Sequence, residues 1–262
     1  MPDARHSYAD LPAPIRDAIT AVIGPIDTVS AVAVGSGVAV TALAHARKGC
    51  FFVKAMPAGD HASRQLREAA LAPFVLPVDA ALIAHLQRDW DILIFEALDG
   101  RAANYAPGSD DLPAVVELLT RVARVPCPST VNLYEAPLRL QQWINDSDLA
   151  YFAGSTLLHT DLAPTNVIIV GGRARLVGWA AATRGAAWLD AAFWVIQLIG
   201  AGHPPAAAED VVARIPAWQH APATAVSLFA TAQARIPRRS TAGETLRTAT
   251  RRWLEYRRSL PT

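Results

Sequence analysis

Between Leu157 and Trp179 the chain sets one carboxylate, one amide and one glycine to converge. Val167 to Val170 is a β-branched apolar run of strand type, Gly171-Gly172 is a turn signal, and Arg173 to Val177 reads as the return strand. A turn there puts Asn166 and Gly178 roughly opposite each other at the open end of a hairpin. Asp161 lies in the loop that feeds that end. A loop carboxylate is a candidate general base toward a hydroxyl proton. An amide oxygen is a candidate ligand for a hard cation. His159 reads as a buried histidine bonded to backbone.

Several elements must position these groups. Residues 8–23 carry Leu11, Ile15, Ile19, Val22 and Ile23 at helical spacing, with Pro12 and Pro14 early enough to start a helix. Val29 to Val40 reads as two short strands around Gly35-Ser36-Gly37. Thr41 to Ala44 and Cys50 to Ala55 form the next hairpin. Phe51-Phe-Val-Lys54 ends that apolar strand on a lysine, and the helical stretch from Ser63 to Pro73 carries a single carboxylate, Glu68. Ala81 to Leu86 and Asp91 to Leu98 complete a small antiparallel sheet. After Gly100 the pattern turns helical. A core helix runs from Trp188 to Ile199, with Asp190 fitting an N-cap. The boundary between two lobes falls near Gly100.

His159-Thr-Asp-Leu-Ala-Pro-Thr-Asn166 resembles the His-Gly-Asp-Leu-x-x-x-Asn signature of the aminoglycoside phosphotransferase and choline kinase family. The resemblance spans about Ser30 to Ala201. It implies an α+β, bilobal protein-kinase-like fold, with an N-terminal nucleotide-binding sheet lobe over 1–100 and a mostly helical catalytic and acceptor-binding lobe over 101–262. It implies that Asp161 orients or deprotonates an acceptor hydroxyl and that Asn166 holds Mg2+. Ser36 and Gly37 would lie over the phosphates of ATP or GTP, and Lys54, paired with Glu68, would contact the α- and β-phosphates. The main chain at Glu96 and Leu98 would hydrogen-bond the adenine. His159 and Asp190 would be structural supports.

One departure is conspicuous. The family's second metal-binding Asp, in the pattern Ile/Val-Asp-Trp/Phe, is matched here by Val177-Gly178-Trp179. Glycine offers a hard cation only its carbonyl. Metal stabilisation of a transition state is worth several kcal/mol, so a loss of about 3–4 kcal/mol would slow transfer by about two to three decades. Asp190, Glu68 and Arg184 are the groups that could compensate. The resemblance therefore implies a phosphotransferase of reduced activity on a hydroxyl of a small molecule. The alternative is a pseudokinase that binds nucleotide or a partner without transfer.

Composition narrows the partners. The 262 residues carry 24 basic and 23 acidic side chains, a net charge of +1, which builds no strong field for nucleic acid or membrane. The longest apolar run, Ala191 to Gly200, is shorter than the roughly 20 residues a bilayer needs. Two cysteines, Cys50 and Cys127, make a disulfide scaffold implausible and a reduced, cytoplasmic protein the default. An acceptor pocket is expected from the helices after Gly200. That segment holds Glu209, Asp210, Glu244 and Glu255 against many arginines. The balance favours a neutral or anionic acceptor over a polycationic aminosugar.

Overall fold

The structure is a computed structural model and describes residues 7–32, 39–59, 62–237 and 241–260. The chain divides into two compact units. One runs to Asp99 and takes in Val177–Ala180; the other comprises Gly100–Leu176 and the residues from Ala181 on.

In the first unit, helix α1 (Ala13–Ile23) precedes strands β1 (Ile26–Ala31), β2 (Val40–Ala46) and β3 (Gly49–Pro57). Helix α2 (Ala62–Val75) and strands β4 (Leu82–Gln87) and β5 (Trp90–Glu96) follow. The helix expected over 8–23 is broken. Tyr8–Asp10 is a separate 3-10 turn, and α1 starts only after Pro12, whose extended backbone sits at the N-cap. The strands form one antiparallel sheet in the order β1-β2-β3-β5-β4.

Alternation along β3 sends Phe51, Val53 and Ala55 to one face and Phe52 and Lys54 to the other. The first face is closed by α1. Ile15, Ile19 and Ile23, spaced i, i+4, i+8, stack on it together with Leu11. Each fully buried isoleucine contributes about 1.5–3 kcal/mol. The opposite face gathers Ala80, Leu93 and Phe95, with Phe52, Leu82 and Leu98 packed against them. Val177 joins this cluster, and an Arg67 Nη1–H on α2 donates to the Ala180 carbonyl at 2.8 Å. These contacts place the four residues after the hairpin with the sheet unit, although 76 residues of chain intervene between Gly100 and Val177.

The second unit begins with β6 (Arg101–Ala102), α3 (Leu112–Val122), β7 (Tyr134–Glu135) and α4 (Ala136–Leu140). Next come β8 (Thr156–Leu158), the hairpin β9 (Val167–Val170) and β10 (Arg173–Leu176), and β11 (Thr183–Gly185). Helices α5 (Leu189–Gly200), α6 (Pro205–Val212), α7 (Pro216–Gln219), α8 (Ala223–Arg235) and α9 (Thr241–Ser259) complete it. Gly171 (φ +53°) and Gly172 (φ +77°) both sit left-handed at the β9–β10 turn, as a two-residue hairpin loop of this twist demands. Helix α5 is the core: Trp194, Val195, Leu198 and Ile199 are all buried. Aromatic edges lock it to its neighbours. The Phe229 ring of α8 lies 5.0 Å from Phe193, 5.9 Å from Trp188 and 6.1 Å from Trp253 of α9. Among the described residues no helix is long and apolar enough to cross a membrane.

Candidate functional site

The chemistry-bearing residues fall into two groups, one in each unit. On the sheet unit, the Lys54 ammonium meets Glu68 Oε1 at 2.6 Å, with the side chains only 13% and 3% exposed. The cation also stands 5.8 Å from the centre of the Phe52 ring and 5.7 Å from that of Phe95. Such a pair is costly to desolvate and is retained only where its geometry is good. Here two ring faces add attraction to the ammonium. Lys54 is thus fixed by Glu68 and flanked by two rings.

At the edge of that sheet, the Glu96 N–H goes to the Ala81 carbonyl and the Ala97 N–H to that of Cys50. The Leu98 N–H makes no main-chain hydrogen bond among the described residues. Ser36 and Gly37 lie outside the described residues.

In the second unit the loop after β8 is tied down from beneath. One Asp190 oxygen accepts the His159 N–H at 2.9 Å, and the other accepts the Thr160 N–H at 2.8 Å. Asp190 is not the N-cap of α5; that position is Trp188, and Asp190 lies one residue inside the helix, its carboxylate given to the loop instead. Burial pushes its carboxyl pKa up, against the lowering pull of both hydrogen bonds and of the Arg139 charge. His159 is fully buried, and its Nδ1 accepts the Asp161 N–H at 3.2 Å. A neutral His159 must then carry its proton on Nε2. Asp161 itself is exposed. The Asn166 Nδ2–H donates to the Asp161 carbonyl at 3.1 Å, closing the loop on itself.

Thr160 stands where the family signature has glycine, and its φ is +67°. A β-branched residue in this region is a true outlier. Its hydroxyl explains how it is kept: Oγ1 donates to the Ala181 carbonyl at 3.2 Å and accepts from Arg139 Nη1 at 2.8 Å. Arg139 also reaches Thr183 Oγ1 at 2.6 Å and lies over the Tyr134 ring at 5.5 Å. This Arg139–Thr160–Thr183 cluster was not evident from sequence. The only signal available was a threonine in a glycine position, since the partners lie 21 and 44 residues from Arg139.

Gly178 keeps a left-handed backbone (φ +88°) with no side chain. None of the three groups that could stand in for a missing carboxylate is available. Asp190 is committed to the loop N–H groups, Glu68 to Lys54, and Arg184 to Glu135 and the Pro128 carbonyl. Among the described residues no three His, Cys, Asp or Glu side chains gather as a metal site. A carboxylate-poor set of this kind does not fit the hard, oxygen-seeking Mg2+ that the family resemblance implies.

Beside Asp161 the second unit forms a partly open cavity of about 330 Å³. Its walls include Leu140, Leu158, Phe193, Ile196 and Phe229, with Arg139, Thr160, Thr183, Gln197 and Gln233 as the polar points. The expectation that the helices after Gly200 build this pocket needs correcting. Among the described lining residues, Phe229, Gln233, Ile236 and Leu246 come from beyond Gly200; α4, β8 and the loop after it, Ala181, β11 and α5 supply the rest. The core helix α5 presents one face of each turn to the cavity, which sequence periodicity alone reads as core. Tyr105 is a further missed residue: its buried hydroxyl has no hydrogen-bond partner among the described residues. Burial pushes its phenol up, and the Asp161 charge adds to the shift.

Fold and site together define a protein of α+β, protein-kinase-like architecture, with a phosphotransferase-like fold. Solved structures of small-molecule kinases share it. Choline kinase LicA from Streptococcus pneumoniae superposes with a TM-score of 0.61 at 13% identity, over 93% of this chain and 98% of that one. An aminoglycoside phosphotransferase from Alicyclobacillus acidocaldarius gives a TM-score of 0.55 at 12% identity, over 89% and 92%. A thermostable variant of the aminoglycoside phosphotransferase APH(4)-Ia, in ternary complex with ADP and hygromycin B, gives 0.54 at 11% identity, over 95% and 100%. By sequence, no protein-family model and no curated protein matches the chain.

Proposed function

We propose that the protein binds a nucleoside triphosphate, ATP or GTP, through its sheet unit and a small hydroxylated molecule through its helical unit, and transfers the γ-phosphoryl group to that hydroxyl at a reduced rate. One observation carries this reading: the chain that shares its fold with small-molecule kinases holds both a nearly buried Lys54–Glu68 pair on β3 and α2 and an Asp190-anchored loop bearing Asp161. Lys54 neutralises charge on the phosphates while Glu68 holds it in place. Asp161 orients the acceptor hydroxyl and takes its proton as the oxygen attacks the γ-phosphorus; the nucleoside diphosphate leaves. Such transfer is largely positioning and charge neutralisation. A magnesium ion would supply charge neutralisation if bound, but the described residues offer it only the Asn166 amide oxygen. The balanced charge fits small-molecule partners and not nucleic acid or a membrane, and two free cysteines fit a cytoplasmic location.

Gly178 favours a second reading, in which nucleotide or partner is bound without transfer. The two readings part in one experiment. Nucleotide binding is followed by thermal shift with and without Mg2+, and phosphate transfer is measured for the native chain and for Gly178→Asp. Asp tolerates a left-handed φ better than most residues, so the variant carries a strain of only about 1 kcal/mol. Steady turnover by the native chain sinks the non-transferring reading. Turnover only in the Asp variant supports it. If neither protein binds nucleotide, the nucleotide role of Lys54 falls.

A further inference from the structure

We infer that the cavity beside Asp161 takes an uncharged alcohol with an apolar body, rather than a cationic aminosugar or a quaternary ammonium alcohol. The inference deepens the phosphotransfer reading and rests on Asp161 facing the acceptor.

The first argument is charge. Among the described residues lining the cavity, Asp161 is the one carboxylate and Arg139 the one cation. A cationic amine buried there would meet no second anion and would face the guanidinium. Taking a charge from water without a partner is strongly unfavourable. The acids of the last segment do not change this. None of Glu209, Asp210, Glu244 or Glu255 lines the cavity, and Glu209 is bound to Trp253 Nε1 at 2.7 Å and to Arg257 at 3.2 Å.

The second argument is the nature of the walls. A quaternary ammonium is recognised by several aromatic faces arranged around it. The rings on this wall are Phe193 and Phe229. Phe229 is fully buried, ringed by Phe193, Trp188 and Trp253 in edge contacts. Phe193 is half-buried. One ring does not make a cage. Leu140, Leu158 and Ile196 complete a surface suited to hydrocarbon.

The third argument is a neutral polar handle. Phe193 and Gln197 lie one helical turn apart on α5, on the same face. The Gln197 amide is half-buried and has no hydrogen-bond partner among the described residues. An amide offers both a donor and an acceptor and no charge. It suits a carbonyl, ether or second hydroxyl on the ligand, with the reacting hydroxyl directed to Asp161.

The test uses the full chain and N-(2-hydroxyethyl)benzamide, which combines an apolar ring, a carbonyl and a primary hydroxyl without charge. Its binding is compared with that of choline and hygromycin B by saturation-transfer NMR and calorimetry, for the native chain, Gln197→Glu and Phe193→Asp. The native chain should bind the benzamide at least tenfold more tightly than either cation. Gln197→Glu, a conservative change at a half-buried site, should weaken the benzamide and bring in hygromycin B or choline binding. Tighter binding of either cation by the native chain overturns the inference. So does failure of the benzamide to bind at its solubility limit, or binding unchanged in both variants. Phosphate transfer from labelled ATP is assayed in parallel. Benzamide binding without transfer leaves the acceptor class standing and sinks the phosphotransfer reading; transfer to hygromycin B does the reverse.

Discussion

The Thr160 N–H reaches the Asp190 carboxylate at 2.8 Å, 30 residues further along the chain. The donor belongs to a residue in left-handed conformation and the acceptor to a buried helix. The loop that presents Asp161 is therefore held from below by one carboxyl group. Asp190→Ala leaves two buried N–H groups without acceptors and should cost about 2–5 kcal/mol. Asp190→Asn keeps one acceptor oxygen and should cost less, about 1–3 kcal/mol. Chemical denaturation of both variants measures this. Equal stability to the native chain would show that the loop is held by other contacts.

Thr160 carries strain and hydrogen bonds together, and two substitutions separate them. Thr160→Val keeps the branched side chain at φ +67° and removes the hydroxyl. It should destabilise by about 2 kcal/mol, because Arg139 and the Ala181 carbonyl lose a partner. Thr160→Gly removes the strain along with the hydroxyl and should fall within about 1 kcal/mol of the native chain. A valine variant more stable than the glycine variant would refute the strain.

Lys54 and Glu68 test structure against function. Lys54→Ala leaves Glu68 buried without its cation and should destabilise the sheet unit by about 3 kcal/mol. The double variant Lys54→Met, Glu68→Leu should recover most of that loss, since apolar residues of similar volume replace both charges. It should still fail to bind nucleotide in a thermal-shift titration. Nucleotide binding by the double variant would remove Lys54 from the phosphate site.

Arg101 donates two hydrogen bonds to Asp111, at 2.6 and 2.8 Å, and the Asn104 N–H adds a third at 2.8 Å. The Arg101 hydrogen bonds hold the Asp111 carboxyl below its ordinary value of 3.8, while burial opposes them. A depressed carboxyl stabilises the native state fully above the unfolded pKa, and that stabilisation is lost as pH falls through the lower folded pKa. Asp111→Asn should thus lower the unfolding midpoint at neutral pH, with the gap to the native chain closing below pH 3.8. Thermal unfolding across a pH series reads this. A gap that is constant with pH would mean that the charge contributes nothing.

Much of the fold was legible from local pattern. The β9–β10 hairpin followed from a branched run, two glycines and a return run, because turn geometry is a local property. The β2–β3 hairpin and the α5 core helix followed likewise from period and turn signals. The short strands β7, β8 and β11 did not. They have two or three residues each and exist only because β11 pairs with both others. No local period announces so short a strand. Continuous apolar spacing predicts a single helix over 8–23; the break at Pro12 is a backbone effect that the spacing does not register.

For the site, the signature in the sequence names Lys54, Glu68, Asp161, Asn166 and the bare Gly178, because each is defined by its residue type and its place in the order of elements. What surrounds them was decided by packing. Asp190 looks like a helix cap in one dimension; in three it gives both oxygens to the loop. Arg139 and Thr183 look like ordinary polar residues until the fold brings them to the Thr160 hydroxyl. The cavity wall is drawn from α4, α5, α8 and α9, and no local pattern distinguishes a core face from a face that lines a pocket. Identity and spacing are properties of the chain, whereas enclosure, and with it the charge a ligand would meet, arises only when distant segments pack together.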